Sequence, residues 1–181
     1  TEINASDPIL QDDPLKIRMG LNSGNVILCD LGAAKARVDL TMIGDAVNIA
    51  ARLETACSQY FIDNLISGSL AESNKAHFKM RIIDRIRVYG KDKPVDVYEV
   101  LNYAGKGGKN EEKLVDAFEK GFEAYTKGNF QLGKECFSLS ADFEIDRGYE
   151  LNPSRIYLER CEMLISNPPK HWDGVWNLET K

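Results

Sequence analysis

The sequence predicts an α+β fold, a sheet covered by helices, followed by a small all-α tail. Three observations carry this. Segments with strand-like alternation are joined by hairpin turn chemistry rather than by regular β-α-β crossovers, helical segments are interleaved with them, and purely helical periodicity takes over after a polar, glycine-rich stretch at 105–110.

The elements are taken in chain order. Residues 1–14 read as an acidic, turn-rich loop in which Asp12 and Asp13 are solvated. From Leu15, the apolar Ile17, Met19 and Leu21 alternate with Lys16, Arg18 and Asn22, the period of a half-buried strand. Asn22-Ser23-Gly24-Asn25 supplies turn residues before the apolar run Val26 to Leu28, so these two strands are expected to form a hairpin. Val38 to Ile43 is β-branched and alternating, and Gly44-Asp45 stops it and caps a helix expected from Ala46 to about Cys57.

Phe61 to Ile66 reads as a short strand, Ser67 to Ser73 as a short helix capped by Ser67, and Phe78 to Val88 as a longer strand. The turn Gly90-Lys91-Asp92-Lys93-Pro94 leads into Val95 to Val100, which makes a second hairpin. A linker spans 102–110. Beyond it, Leu114, Ala117, Phe118, Gly121, Phe122 and Tyr125 recur at helical spacing up to Gly128-Asn129. Phe130, Gly133, Cys136, Phe137 and Ser140 mark a second helix, and Ser154 to Ile165, begun after Pro153, a third. The small residues, the turn and Phe137 match the spacing of a tetratricopeptide repeat, a unit that needs neighbours to bury its faces.

Composition narrows the function classes. With 181 residues, 43% hydrophobic and 28% charged, the chain has the profile of a soluble globular protein, one domain plus an appendage. A net charge of -5 argues against a general nucleic-acid binder, although Lys35, Arg37 and Arg52 give a local positive region suited to a small anion. No apolar stretch reaches the roughly 20 residues of a membrane helix. Cys29, Cys57, Cys136 and Cys161 form no C-x-x-C pair and His77 and His171 stand alone, which points away from metal clusters and disulfides and towards a reducing cytoplasm. The chain opens on Thr1, not Met, and reads as a piece of something longer, whose remainder could hold a membrane anchor.

The most informative segment runs from Asp39 to Glu54. Asn48 and Arg52 lie four apart on the predicted helix and share a face, and Thr41 and Asp39 share a face of the preceding strand. A guanidinium suits phosphate oxygens, an amide can hold a sugar, and a hydroxyl can read a polar base. The same residues also suit a solvated helix face, a strand chosen for β propensity and a simple cap, so spacing alone leaves both readings open.

As a string, Asp39-x-Thr41-x-Ile43-Gly44-Asp45-x-Val47-Asn48-x-Ala50-Ala51-Arg52-Leu53-Glu54 resembles the signature of class III nucleotide cyclases. Ile17 to Val26 resembles the family segment N-terminal to the signature. Asn64-Leu65-Ile66-Ser67, Val88-Tyr89-Gly90-Lys91 and Val97-Tyr98-Glu99-Val100 resemble the family segments C-terminal to it. The likeness covers residues 15–101 and implies the C-terminal half of a ferredoxin-like nucleotide cyclase domain, with 111–181 as a tetratricopeptide-like extension.

The resemblance also implies roles. Asn48 would orient the ribose, Arg52 would stabilise charge on the α-phosphate as cyclic AMP and pyrophosphate form, and Thr41 would read the purine. Thr at that position is similar to the bicarbonate-responsive adenylyl cyclases, which favours ATP over GTP and leaves guanylyl cyclase as an alternative. The family holds Mg²⁺ or Mn²⁺ with two Asp residues on earlier strands, and no such strands precede Leu15. Each family site draws on two domains paired head to tail, so a homodimer partner or a complementing half is implied, and the chain by itself is expected to be inactive. The other reading is a non-catalytic interaction or regulatory module.

Residues Asn152 to Cys161, Pro168-Pro169 and Trp172 to Trp176 resemble the helical extension C-terminal to the cyclase domain in some bacterial-type adenylyl cyclases. Trp172 and Trp176 either pack the tail onto its own helices or form a docking surface; packing is the expectation, since two uncovered indoles would expose an apolar patch.

Overall fold

The computed structural model describes residues 15–31, 39–87, 94–145 and 150–176. The acidic opening at 1–14, Lys35, Arg37, Val38, Val88 and the turn residues 90–93 lie outside them. The described chain is mixed α+β, with strands β1 (Met19–Leu21), β2 (Ile27–Leu31), β3 (Asp39–Ile43), β4 (Asn64–Ser67), β5 (Phe78–Ile86) and β6 (Val95–Tyr103). The helices are α1 (Asp45–Tyr60), α2 (Gly68–Asn74), α3 (Lys109–Thr126), α4 (Phe130–Ala141) and α5 (Pro153–Ser166).

Four strands form one sheet in the order β1-β4-β6-β5, and β2 and β3 form a separate two-stranded ribbon. The second expected hairpin is present, with β5 and β6 antiparallel. The first is not. β1 pairs in parallel with β4, Gly20 opposite Leu65, while β2 pairs antiparallel with β3, Cys29 opposite Thr41. Alternation and the apolar run located the two strands, but Ile17, Met19 and Leu21, expected on a buried face, are 58, 49 and 43% exposed, and neither pattern carries information about partners. The segment read as a turn packs on α1 instead, with the Asn22 side-chain amide donating to the Ala46 carbonyl at 3.2 Å. An added Cβ on Gly24 would lie 2.8 Å from that of Ala46.

Helix α1 also runs one turn beyond the expected Cys57. It stops where Phe61 takes the left-handed conformation, φ 54°, and the Ile62 amide closes on the Cys57 carbonyl at 3.1 Å, so β4 begins only at Asn64. At α2, Ser67 precedes the helix but makes no capping bond; its hydroxyl meets that of Ser69 at 3.2 Å.

The face of the sheet under α1 holds the first core, built from Leu53, Ala56, Cys57, Tyr60, Ile62, Leu65, Ile83, Ile86 and Val97. Gly20 makes the approach possible, because a Cβ there would sit 2.0 Å from the Ala50 carbonyl oxygen.

The three tail helices form a second, aromatic core of Phe118, Phe122, Tyr125, Phe137 and Tyr157 with Cys161 and Leu164. Phe118 and Tyr125 each meet Tyr157 edge to face, at 5.5 and 5.0 Å between centroids. Two asparagines cap these helices, with the Asn129 side chain accepting from Leu132 N and that of Asn152 from Arg155 N, ahead of Pro153 at the start of α5. The indoles are packed rather than displayed, since Trp172 Nε1 donates to the Tyr125 carbonyl at 2.8 Å and Trp176 lies against this core.

The two cores interlock. Ile82 of β5 packs into the aromatic cluster and Ile156 of α5 packs into the sheet core. Between them lie buried charges, Arg81, Asp84 and Glu99 at 0% exposure and Arg160 at 6%. Among the described residues no helix is long and apolar enough to cross a membrane.

Candidate functional site

The three residues singled out by the sequence lie on one continuous strand, glycine and helix unit. Thr41 is the central residue of β3, half-buried and opposite Cys29. Gly44 turns the chain, with φ 155° and ψ 165°, a region reserved in practice for glycine, and its carbonyl accepts from the amides of Val47 and Asn48. Asn48 and Arg52 come in the first turns of α1, both exposed and on one face, separated by about 6 Å along the axis. Arg37 and Lys35, the other cations of the local positive region, lie outside the described residues.

This unit is held from beneath. Val26 and Asn25 crowd Gly44, where an added Cβ would meet the Asn25 carbonyl oxygen at 3.1 Å. Arg18, before β1, pairs with Glu54 of α1 at 3.0 Å. On the buried side of α1, Cys57 donates to the Leu53 carbonyl, and burial first, with the charge of Glu54 next, pushes its thiol up to about 12. The Cys57 thiol on the buried side of α1 therefore keeps its proton, while Asn48 and Arg52 stand on the exposed face.

An exposed apolar surface adjoins the unit. Ile27, Leu28, Leu40 and Met42 of the ribbon are all more than half exposed, as is Ile17 before β1. Among the described residues no three His, Cys, Asp or Glu side chains are grouped so that they could hold a metal ion. The described residues thus offer no such cluster for the divalent ions that the cyclase resemblance implies.

The polar cluster below α1 was not legible in the sequence. The hydroxyl of Tyr60, the last residue of the helix, donates to Asp84 Oδ2 at 2.5 Å, and Arg160 Nη1 of α5 donates to the same oxygen at 2.9 Å. These residues are 24 and 76 positions from Asp84, beyond any local pattern. The available signal was the presence of charged residues, Arg81 and Asp84 among them, inside a strand with the apolar Met80, Ile82, Ile83 and Ile86. A one-residue bulge at Ile83 immediately precedes Asp84, the kind of irregularity that re-aims a side chain.

A family model described as the adenylate and guanylate cyclase catalytic domain matches residues 2–102. The chain is 28% identical over 152 residues to a Dictyostelium discoideum protein named adenylate cyclase, terminal-differentiation specific, covering 79% of this chain and 7% of that protein. That match is longer than the family domain and runs into the helical tail. An adenylate cyclase of Anabaena cylindrica is 37% identical over 89 residues, covering 48% of this chain and 18% of its own length. The chain therefore spans less than a fifth of either curated relative. Among solved structures, the adenylyl cyclase CyaB from P. aeruginosa is 30% identical with a TM-score of 0.45, covering 59% of this chain and 57% of that one.

Proposed function

Since this chain belongs to the adenylate and guanylate cyclase catalytic domain family, we propose that it is part of an adenylate cyclase, supplying one side of the site that converts ATP to 3′,5′-cyclic AMP and pyrophosphate. The observation that carries this reading is the ordered placement of Thr41, Asn48 and Arg52 on the β3 to α1 unit, two of them exposed on one helical face.

In this reading Asn48 holds the ribose so that its 3′-oxygen faces the α-phosphorus. A new 3′-oxygen to phosphorus bond forms as the bond to the pyrophosphate oxygen breaks, and the hydroxyl proton leaves. Negative charge grows on the phosphoryl oxygens, where the Arg52 guanidinium offers fixed positive charge and planar donors. Thr41 reads the purine edge, and its hydroxyl supports the reading of a Thr-containing, bicarbonate-responsive type. The ligands for Mg²⁺ or Mn²⁺ come from outside the described residues, on a head-to-tail partner or a complementing half. The region 15–101 is accordingly half of a ferredoxin-like cyclase domain, and 111–181 a tetratricopeptide-like extension.

The test is cyclic AMP formation from ATP by this chain mixed with a cyclase segment that bears the metal carboxylates. The chain alone gives none, the pair is active, and Arg52→Ala lowers turnover about 10²- to 10³-fold with the fold intact. Undiminished turnover in that variant removes Arg52 from its role. The exposed apolar ribbon favours a second reading, an interaction module without catalysis. A pair that assembles and binds ATP but forms no cyclic AMP selects it.

A further inference from the structure

We propose that Arg160, in the helical tail, is a positioning residue for the catalytic helix, fixing the pose of α1 through Asp84 and Tyr60. This rests on the reading that Asn48 and Arg52 of α1 serve the cyclase reaction.

The geometry is that of a clamp. Asp84 Oδ2 accepts from both Tyr60 OH and Arg160 Nη1, and Oδ1 accepts from the Arg85 amide at 2.7 Å, so the buried carboxylate is held on both oxygens. The guanidinium of Arg160 is in turn caged by rings, 4.8 Å from the centroid of Tyr157, 4.9 Å from that of Trp176 and 5.5 Å from that of Tyr60. Burial, and next the charge of Asp84, raise the Tyr60 hydroxyl well above its usual range, so it keeps its proton and remains a donor. One turn before Arg160, Ile156 packs into the core that α1 shares with the sheet. The tail therefore joins the core that α1 shares with the sheet through Ile156, and it reaches Tyr60 of α1 through the Arg160 guanidinium over its ring and the shared Asp84 carboxylate of β5.

The connection to the site runs along the helix itself. Asn48, Arg52, Ala56 and Tyr60 form a single i, i+4 row, which winds about 40° at each step. Its first two members are exposed and its last two buried. A helix moves as a rigid element, so a shift of Tyr60 on Asp84 displaces Asn48 and Arg52, about 18 and 12 Å away along the axis. Displacements well under a helical turn are costly where phosphate and ribose must be aligned for attack.

The experiment compares Arg160→Met, Arg160→Lys and Leu114→Ala in the whole chain. Leu114 is buried in α3 and lies outside the residues packed with α1, so its truncation weakens the tail without touching the clamp. Hydrogen exchange in Arg160→Met should rise about tenfold or more at the α1 amides 49–57, beyond the rise seen in Leu114→Ala. With the complementing segment, kcat per folded molecule should fall about tenfold or more while the KM for ATP stays within about twofold, and Arg160→Lys should recover part of the loss. Exchange that rises only in α5, or equally in Leu114→Ala, overturns the proposal. If the unmodified pair shows no turnover, the cyclase reading fails, and the exchange comparison still decides whether Arg160 positions α1. If Arg160→Met does not fold, Tyr60→Phe, which deletes only the hydroxyl, is held to the same exchange and kcat criteria.

Discussion

Arg81 of β5 and Glu144, just beyond α4, form a bidentate pair across the junction of sheet and tail, Nη1 to Oε1 at 2.9 Å and Nη2 to Oε2 at 3.0 Å. The third face of the same guanidinium is taken by Glu99 of β6, with Nε donating at 2.8 Å. One buried cation thus serves two carboxylates, and the excess negative charge is offset by the amide and hydroxyl of Ser154, both donating to Glu144.

Removing that cation should be severe. Arg81→Met leaves the buried carboxylates of Glu99 and Glu144 without the cation that offsets them, at a cost of about 3–5 kcal/mol. Urea unfolding should show the midpoint falling for sheet and tail together. Two separated transitions would mean that the tail is not fastened through Arg81.

Glu144 gives the junction a pH dependence. Burial by itself would raise its carboxyl, but the Arg81 charge and the hydrogen bonds from Arg81 and Ser154 outweigh that and hold it below the ordinary carboxylate range. A folded value below the unfolded one means that the group's stabilisation is fully present above the unfolded value, about 4.3, and is lost as pH falls through the folded value. Melting temperatures taken from about pH 7 to about pH 3 should fall on the acid side, and Glu144→Gln should flatten that fall.

Gly20→Ala tests the seat of α1. Its Cβ would stand 2.0 Å from the Ala50 carbonyl oxygen and 2.3 Å from the Glu54 amide nitrogen, both backbone atoms that no rotamer change can move. The helix must lift off β1, at about 1–3 kcal/mol or more. Turnover with the complementing segment should fall with stability, because the lifted helix is the one that carries Asn48 and Arg52.

Trp172→Ala should loosen the tail. The indole bonds the Tyr125 carbonyl and meets the rings of Tyr125 and Phe130 edge on, at 5.1 and 5.4 Å. Since the ring is only half-buried, the expected loss is about 2–3 kcal/mol, below the full range for a core aromatic. It is read as a lower thermal midpoint.

The thiols should separate into two classes. Burial pushes Cys57 and Cys161 up to about 12, whereas Cys29 and Cys136 are partly exposed. A thiol reagent should modify the latter pair in the folded chain and reach the former only after denaturation. Early loss of Cys57 would mean that α1 opens locally.

Local chemistry determined much of this protein. Alternation, Gly44, the caps at Asn129 and Asn152, and the helical spacing of Leu114 to Tyr125 place the strands and helices, because each depends on residues within a few positions. The same holds for the order of Thr41, Asn48 and Arg52 along one strand and helix. Tertiary structure decided the rest. It paired β1 with β4 rather than β2, and it let α1 run on to Tyr60, because strand partners and helix ends are fixed by the surfaces they bury. It also brought Tyr60, Asp84 and Arg160 into one buried cluster. Charges inside β5 announce that partners are needed, but partners 63 and 76 residues away are chosen by packing.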